Sequence, residues 1–327
     1  MIKLIRYKNL LFIVLIQFLM SKAIINPILE MYHLVPLTPN WILLGIIAAT
    51  VLIAAGGYVI NDYFDIKIDR LNRSDKVIVG VEVSKKSAML FYQILTGLGI
   101  VIGIAAAVYI KNFTLGLIFI VVPGMLWFYS SSYKRQLIIG NLIIALSAAL
   151  VPLVPLVTEA SLLSDYYGEL IKETPIIPQM YKWVCGFALF AFWWTMIREI
   201  IKDIQDQKGD REMECHTIPI VWGNTAAKII LVAMIIIALA ALYRLSYFVI
   251  SFPIESQLTQ HYFWFGIALP SLCLVIMLIL AKTPHDYHNA STLTKFIMLV
   301  GVLYSLIFYF IIAQTYGFPL FNLFYIK

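Results

Sequence analysis

Apolar residues along this chain arrive in long unbroken blocks separated by short polar stretches. A helix needs about 20 such residues to cross a hydrocarbon core ~30 Å thick. Blocks at 9–28, 41–60, 88–110, 113–130, 137–157, 180–200, 226–248, 262–281 and 294–316 each predict one span. The fold class that follows is an all-α integral membrane protein with about nine transmembrane helices, and an odd number of crossings leaves the two termini on opposite sides. Lys22 interrupts the first block, but the apolar run resumes from Ile24 to Leu29, which favours a retained span over a cleaved leader. Composition points the same way: 61% of the 327 residues are hydrophobic and 13% charged, against about 45–50% and about 25% in soluble domains.

The polar stretches differ in charge. With the N-terminus inside, 18 of the 24 Lys and Arg residues fall on the inner side and five on the outer, with Lys22 inside the first span. Positive residues collect in cytoplasmic loops, so the N-terminus is expected in the cytoplasm and the chain in the cell membrane. The net charge of +6 reflects this asymmetry and calls for no nucleic acid. The three cysteines fall in two spans and one inner loop and imply no disulfide framework. The longest outer connection, 158–179, is net acidic and carries prolines, and a short surface helix is expected there. No linker divides the chain, which reads as a single domain over 1–327.

The two long inner stretches carry nearly the same decapeptide, NDYFDIKIDR at 61–70 and KDIQDQKGDR at 202–211. Aligned without a gap, they share three aspartates, a lysine and the final arginine. Residues at i, i+3 and i+7 share one helical face, so Asp62, Asp65 and Asp69 are expected on one stripe, with Asn61 a turn from Asp65. Asp203, Asp206 and Asp210 repeat the pattern, and Glu199 extends it upstream. Such dense like charge calls for a cation between the two clusters. An oxygen-only donor set suits Mg²⁺, which takes one or two carboxylates per ion with water and substrate phosphates; zinc would want Cys or His. Two facing clusters therefore suit Mg²⁺ ions clamping a diphosphate, and Arg70, Arg73, Lys76, Lys134, Arg198, Lys202 and Arg211 supply inner-side positive charge for such a polyanion.

N-D-Y-F-D-I-K-I-D at 61–69 resembles the N-D-x-x-D-x-x-x-D motif of the UbiA superfamily of intramembrane prenyltransferases. D-Q-K-G-D at 206–210 resembles its second motif, D-x-x-x-D. Nine spans, motifs after spans two and six, and Tyr129 with Tyr133-Lys134-Arg135 after span four are similar as well, so the resemblance covers essentially the whole chain. It implies a ring of helices around a central cavity that opens into the lipid, with the acidic motifs closing its cytoplasmic end. It implies Mg²⁺ as cofactor, with Asn61, Asp65, Asp206 and Asp210 as ligands and Asp62, Asp69 and Asp203 as additional ligands or supporting groups. Asp65, Asp69, Asp206 and Asp210 are the expected catalytic carboxylates. Lys134 is expected against the donor's diphosphate, with Tyr129, Arg73, Arg198 and Lys202 as helpers. The implied partners are a prenyl diphosphate donor, a lipophilic or phosphorylated acceptor, and membrane lipid; nothing in the sequence points to a protein partner.

The wording around the motifs resembles the branch that prenylates geranylgeranylglycerol phosphate to make an ether lipid. The 4-hydroxybenzoate branch has D-x-x-Y-A before its second motif, where this chain has Glu199 and Lys202-Asp203; Ser74, in turn, stands where the ether-lipid branch has proline. A quinone-precursor ring such as dihydroxynaphthoate is the alternative acceptor, and a secondary transporter is the alternative of a different class, disfavoured because its sites sit near the bilayer midplane. His216, six residues past Asp210, is a candidate proton acceptor. His285 and His288 read as part of a solvated inner turn after Pro284. Gly56-Gly57 is expected to allow close helix packing, and Pro123, Pro152 and Pro155 to disturb their helices or mark cavity-lining backbone.

Overall fold

A computed structural model describes residues 3–72, 77–245 and 257–321. Among the described residues, nine helices are long and apolar enough to cross a membrane: α1 Tyr7–Met31, α2 Asn40–Phe64, α3 Lys85–Tyr109, α4 Phe113–Ser131, α5 Ile139–Glu173, α6 Ile176–Glu212, α7 Gly223–Arg244, α8 Gln257–Leu280 and α9 Pro284–Tyr316. The nine apolar blocks became helices wherever they are described, with 246–248 of the seventh lying outside the described residues. Val79 and Val83 form an isolated bridge, and no sheet is built among the described residues.

The helix ends depart from the apolar blocks. α6 has 37 residues, about 55 Å at 1.5 Å per residue, far more than ~30 Å of hydrocarbon requires. Its overhang contains the whole second acidic decapeptide, so Asp203, Asp206 and Asp210 sit on helix, as their spacing predicts, although the apolar block ends at 200. α9 likewise begins at Pro284, ten residues ahead of the apolar block at 294, because Thr283 and Asp286 form a reciprocal capping box at its start. His285 and His288 therefore occupy the first turns of a helix and no loop. On the opposite side α5 runs on to Tyr167 and tightens into a 3₁₀ turn over Gly168–Glu173, which replaces the separate surface helix expected at 158–179.

The first motif is bent. α2 ends at Phe64, Asp65 caps it at φ −85°, ψ 0°, and a short helix follows at Ile66–Asn72. The i to i+4 pattern survives the bend, because Asp65 N–H donates to Asn61 O at 2.9 Å and Asp69 N–H to Asp65 O at 2.8 Å.

Packing gathers into three main blocks. One joins α1, α5, α6 and α9 around Met20, Met180 and Phe308; a second joins α6 to α7, α8 and α9 around Trp194 and Leu274; a third joins α2, α3, α4 and α5 around Ile46 and Phe119. Small residues tighten the third block: a Cβ on Gly56 would stand 2.2 Å from Thr96 Oγ1 of α3. Lipid tails are as apolar as leucine, so this fit, rather than water exclusion, holds neighbouring helices together. Pro155 cannot donate to the carbonyl four residues back, and Gln17 of α1 takes that role: its Nε2, fully buried, donates to Val151 O at 3.1 Å and to Thr50 Oγ1 at 3.0 Å.

Candidate active site

A cavity of about 600 Å³ lies between the packing blocks. Six of the nine helices line it, each through residues three or four apart: Asn9, Phe12 and Ile16 on α1, Thr50, Ile53, Gly57 and Asn61 on α2, and Thr195, Glu199 and Lys202 on α6, with comparable stripes on α4, α5 and α9. Most of the wall is apolar. The end toward the acidic motifs carries Arg6, Tyr58, Asn61, Tyr129, Arg198, Glu199, Lys202 and Lys295.

The first motif sits beside this end. Asn61 Nδ2 donates to Asp65 Oδ2 at 2.8 Å, and the Lys134 ammonium meets the other oxygen, Asp65 Oδ1. Burial, with Arg135 adjacent, pulls the Lys134 ammonium down to about 8, while Asp210 and Asp62 pull it back up. The direct contact with Asp65 acts in the same sense as those acids, so Lys134 stays charged at neutral pH. Arg6 Nη2 donates to Asp62 Oδ1 at 2.6 Å, with its guanidinium 5.0 Å from the Tyr58 ring centroid. Burial lowers the Arg6 pKa, but Asp62, Tyr58 and Asp69 together outweigh it and hold the group above its ordinary value. Leu4, fully buried against Val59, Ile66, Val79 and Ala88, pins the N-terminal segment where Arg6 makes this reach.

The second motif is tied in by amides. Asn141 of α5 donates to Asp203 Oδ2 at 2.8 Å. Asn72, at the end of the short helix, brackets α6: its Nδ2 donates to Asp206 O at 3.0 Å, and its Oδ1 accepts from Gly209 N–H at 2.8 Å. One side chain thus joins the two acidic segments. Upstream, Glu199 accepts from Arg198 at 2.8 Å and from Lys202 at 3.0 and 3.1 Å.

Asn61, Tyr129, Arg198 and Lys202 lie on the cavity wall, and Lys134 lies against Asp65. Among the described residues the six motif aspartates are not part of that wall, and no three His, Cys, Asp or Glu side chains converge as a ready metal cage. Mg²⁺ needs no ready cage of three, since it uses few carboxylates per ion and shares the substrate's phosphates. Asp65 Oδ1, buried and met by an ammonium, is the kind of oxygen a divalent cation takes. Arg73 lies outside the described residues. His216 is exposed, its N–H donating to Arg135 O at 2.8 Å, and it is not among the lining residues. Sequence reasoning missed Arg6, Asn72, Asn141 and Lys295 as site residues. Asn141 left a signal, being an amide within an apolar block; Arg6 and Lys295 were read only as topology markers.

A ring of membrane-length helices thus encloses an apolar cavity with dense charge at one end, and the paired aspartate motifs lie on or beside its second and sixth helices. The model of the UbiA prenyltransferase family matches residues 28–300, and the chain belongs to that family of prenyltransferases. It is 31% identical over 260 residues to the digeranylgeranylglyceryl phosphate synthase of Sulfolobus acidocaldarius, covering 77% of this chain and 80% of that one. It is 32% identical over 188 residues to the enzyme of that name from Methanosphaera stadtmanae, covering 57% of this chain and 60% of the relative's length. Among solved structures, a digeranylgeranylglyceryl phosphate synthase superposes with a TM-score of 0.61 at 22% identity, over 94% of this chain and 96% of that one. A UbiA homologue from Archaeoglobus fulgidus bound to GPP and Mg²⁺ superposes with a TM-score of 0.56 at 17% identity, over 93% and 98%. At such identities the structures show the shared fold.

Proposed function

We propose that this prenyltransferase moves a polyprenyl group from an allylic prenyl diphosphate to the hydroxyl of geranylgeranylglycerol phosphate, forming an ether. The observation that carries the reading is the cavity, apolar along six helices and ending beside the Asn61–Asp65–Lys134 contact; the names of the relatives support the choice of acceptor. Asn61, Asp65, Asp206 and Asp210 would hold Mg²⁺, with Asp62, Asp69 and Asp203 in support. Bound there, the ion supplies stabilisation of the charge that accumulates on a departing diphosphate. Lys134 adds a fixed cation at the same place. The allylic carbon–oxygen bond breaks with its electron pair leaving on the diphosphate, and the acceptor oxygen forms the new bond and gives up its proton. Tyr58, Phe119, Tyr129 and Phe190 on the wall exclude water, and their ring faces favour a carbocation. The Lys and Arg asymmetry supports a cytoplasmic N-terminus and acidic end, in the cell membrane.

The test is incubation of purified protein with Mg²⁺, geranylgeranyl diphosphate, and either geranylgeranylglycerol phosphate or dihydroxynaphthoate, followed by mass spectrometry of the lipid extract. An ether-linked phospholipid is the expected product. A prenylated naphthoate without the ether would overturn the acceptor assignment.

A further inference from the structure

More cations than carboxylates line the cavity's charged end. Arg6, Lys8, Arg198, Lys202 and Lys295 all line it. The carboxylates on these groups are Asp62, which takes Arg6, and Glu199, shared by Arg198 and Lys202. On α6 one carboxylate thus serves two cations, Arg198 and Lys202, and excess positive charge on a membrane-spanning helix is costly and marks function. Two polar atoms on the same stripe of α6, Thr195 Oγ1 and Arg198 Nε, are buried without any hydrogen-bond partner. Buried polar atoms ordinarily find one. The set runs inward from the edge of the acidic jaws: Lys202 directly precedes Asp203 of the second motif, and Thr195 lies eleven residues before Asp206 on the same helix, a rise of about 16 Å.

We propose that Arg198, Lys202 and Lys295, with Thr195 and Arg6 beside them, form a second anion site that takes the phosphate monoester of the acceptor's glycerol head. The inference rests on the proposed ether-forming reaction and moves Arg198 and Lys202 from the donor's diphosphate, where the sequence suggested them, to the acceptor. A phosphate dianion suits the set, because guanidinium and ammonium groups both make charge-assisted bonds to its oxygens. It also explains why the jaws and the cations lie in register on α6. The donor's diphosphate belongs with the aspartates and Lys134, and the acceptor's phosphate about one turn deeper along the wall, with the two reacting chains sharing the apolar cavity between them. Glu199 holds Arg198 and Lys202 apart and in place while the site awaits its anion.

The experiment is steady-state kinetics on purified, reconstituted protein with three variants, Lys202→Gln, Lys295→Gln and Lys202→Arg, and two acceptors, geranylgeranylglycerol phosphate and its dephosphorylated alcohol. Each glutamine variant should raise the KM for the phosphorylated acceptor by about tenfold to a hundredfold, the range for a lost charged hydrogen bond, with the donor KM within about twofold of the parent. The preference for the phosphorylated acceptor should shrink by the same factor, and Lys202→Arg should restore most of it. Phosphatidic acid, added as a competitor, separates a site for any glycerol phosphate lipid from one that needs the prenyl chain. Donor KM rising in step with acceptor KM, or an undiminished preference in both glutamine variants, would overturn the site. Should the parent protein form no ether with either acceptor, the proposed reaction itself fails, an outcome distinct from the first. Lys295→Gln, on an exposed part of the wall, keeps the test valid if the more enclosed Lys202 variant does not fold.

Discussion

Replacing Gly209 with alanine tests whether the two acidic segments act as one device. A Cβ at that position would stand 2.6 Å from Asn72 Nδ2, 2.7 Å from Oδ1 and 2.8 Å from Cγ, too close for any of them to remain. The obstacle is the end of a side chain, so Asn72 swings away and the backbone of α6 stays. Two hydrogen bonds are lost, those at 2.8 and 3.0 Å, together about 1–3 kcal/mol. Alanine returns about 1 kcal/mol by stiffening the helix. Net stability should therefore fall by no more than roughly 2 kcal/mol, a shift of a few degrees in Tm. Function should suffer more, because Asp206 and Asp210 are no longer registered against Asp65 and Asp69, and a displacement of about 1 Å can cost ~100-fold in rate. The assay is diphosphate release against Mg²⁺ concentration, with Tm measured in the same detergent. We expect turnover reduced by about tenfold to a hundredfold and a higher Mg²⁺ requirement. Asn72→Ala should behave alike, and the double variant should be no worse than either single one. A normal Mg²⁺ curve with normal turnover in Gly209→Ala would refute the coupling.

The other predictions follow from single contacts. Asp65→Asn should lower turnover by about 10²–10³, read as diphosphate release, while Lys134→Gln should lower it less and Lys134→Arg least; equal losses for both lysine variants would argue that shape, and not charge, is what Lys134 contributes. Chelation of divalent ions should abolish turnover and added Mg²⁺ restore it, whereas restoration by neither Mg²⁺ nor another divalent ion would remove the metal from the scheme. Gln17→Leu should destabilise the protein by about 1–3 kcal/mol, because Val151 O, without a partner from Pro155, loses the bond from Gln17 Nε2; thermal unfolding in detergent reads this, and an unchanged Tm would contradict it.

Much of the protein could be read from order alone because a bilayer imposes a local rule. A stretch of about 20 apolar residues must become a helix to satisfy its own backbone, so nine blocks became nine helices without reference to their neighbours. The shared spacing of the two acidic segments was equally legible, since i, i+3 and i+7 define a face on any single helix. Helix ends were not, because beyond the lipid they depend on caps and contacts: α6 runs through the whole second motif, and α9 starts at a capping box that hydropathy does not register. The sequence by itself thus determined that two clusters of aspartate would face one side of a helical membrane enzyme. Tertiary structure decided which partner each acid took, Lys134 for Asp65, Arg6 for Asp62 and Asn141 for Asp203, and set Lys202 and Lys295 on one cavity wall although 93 positions separate them in the chain. Those pairings join residues far apart in sequence, and only packing one helix against another brings them within reach.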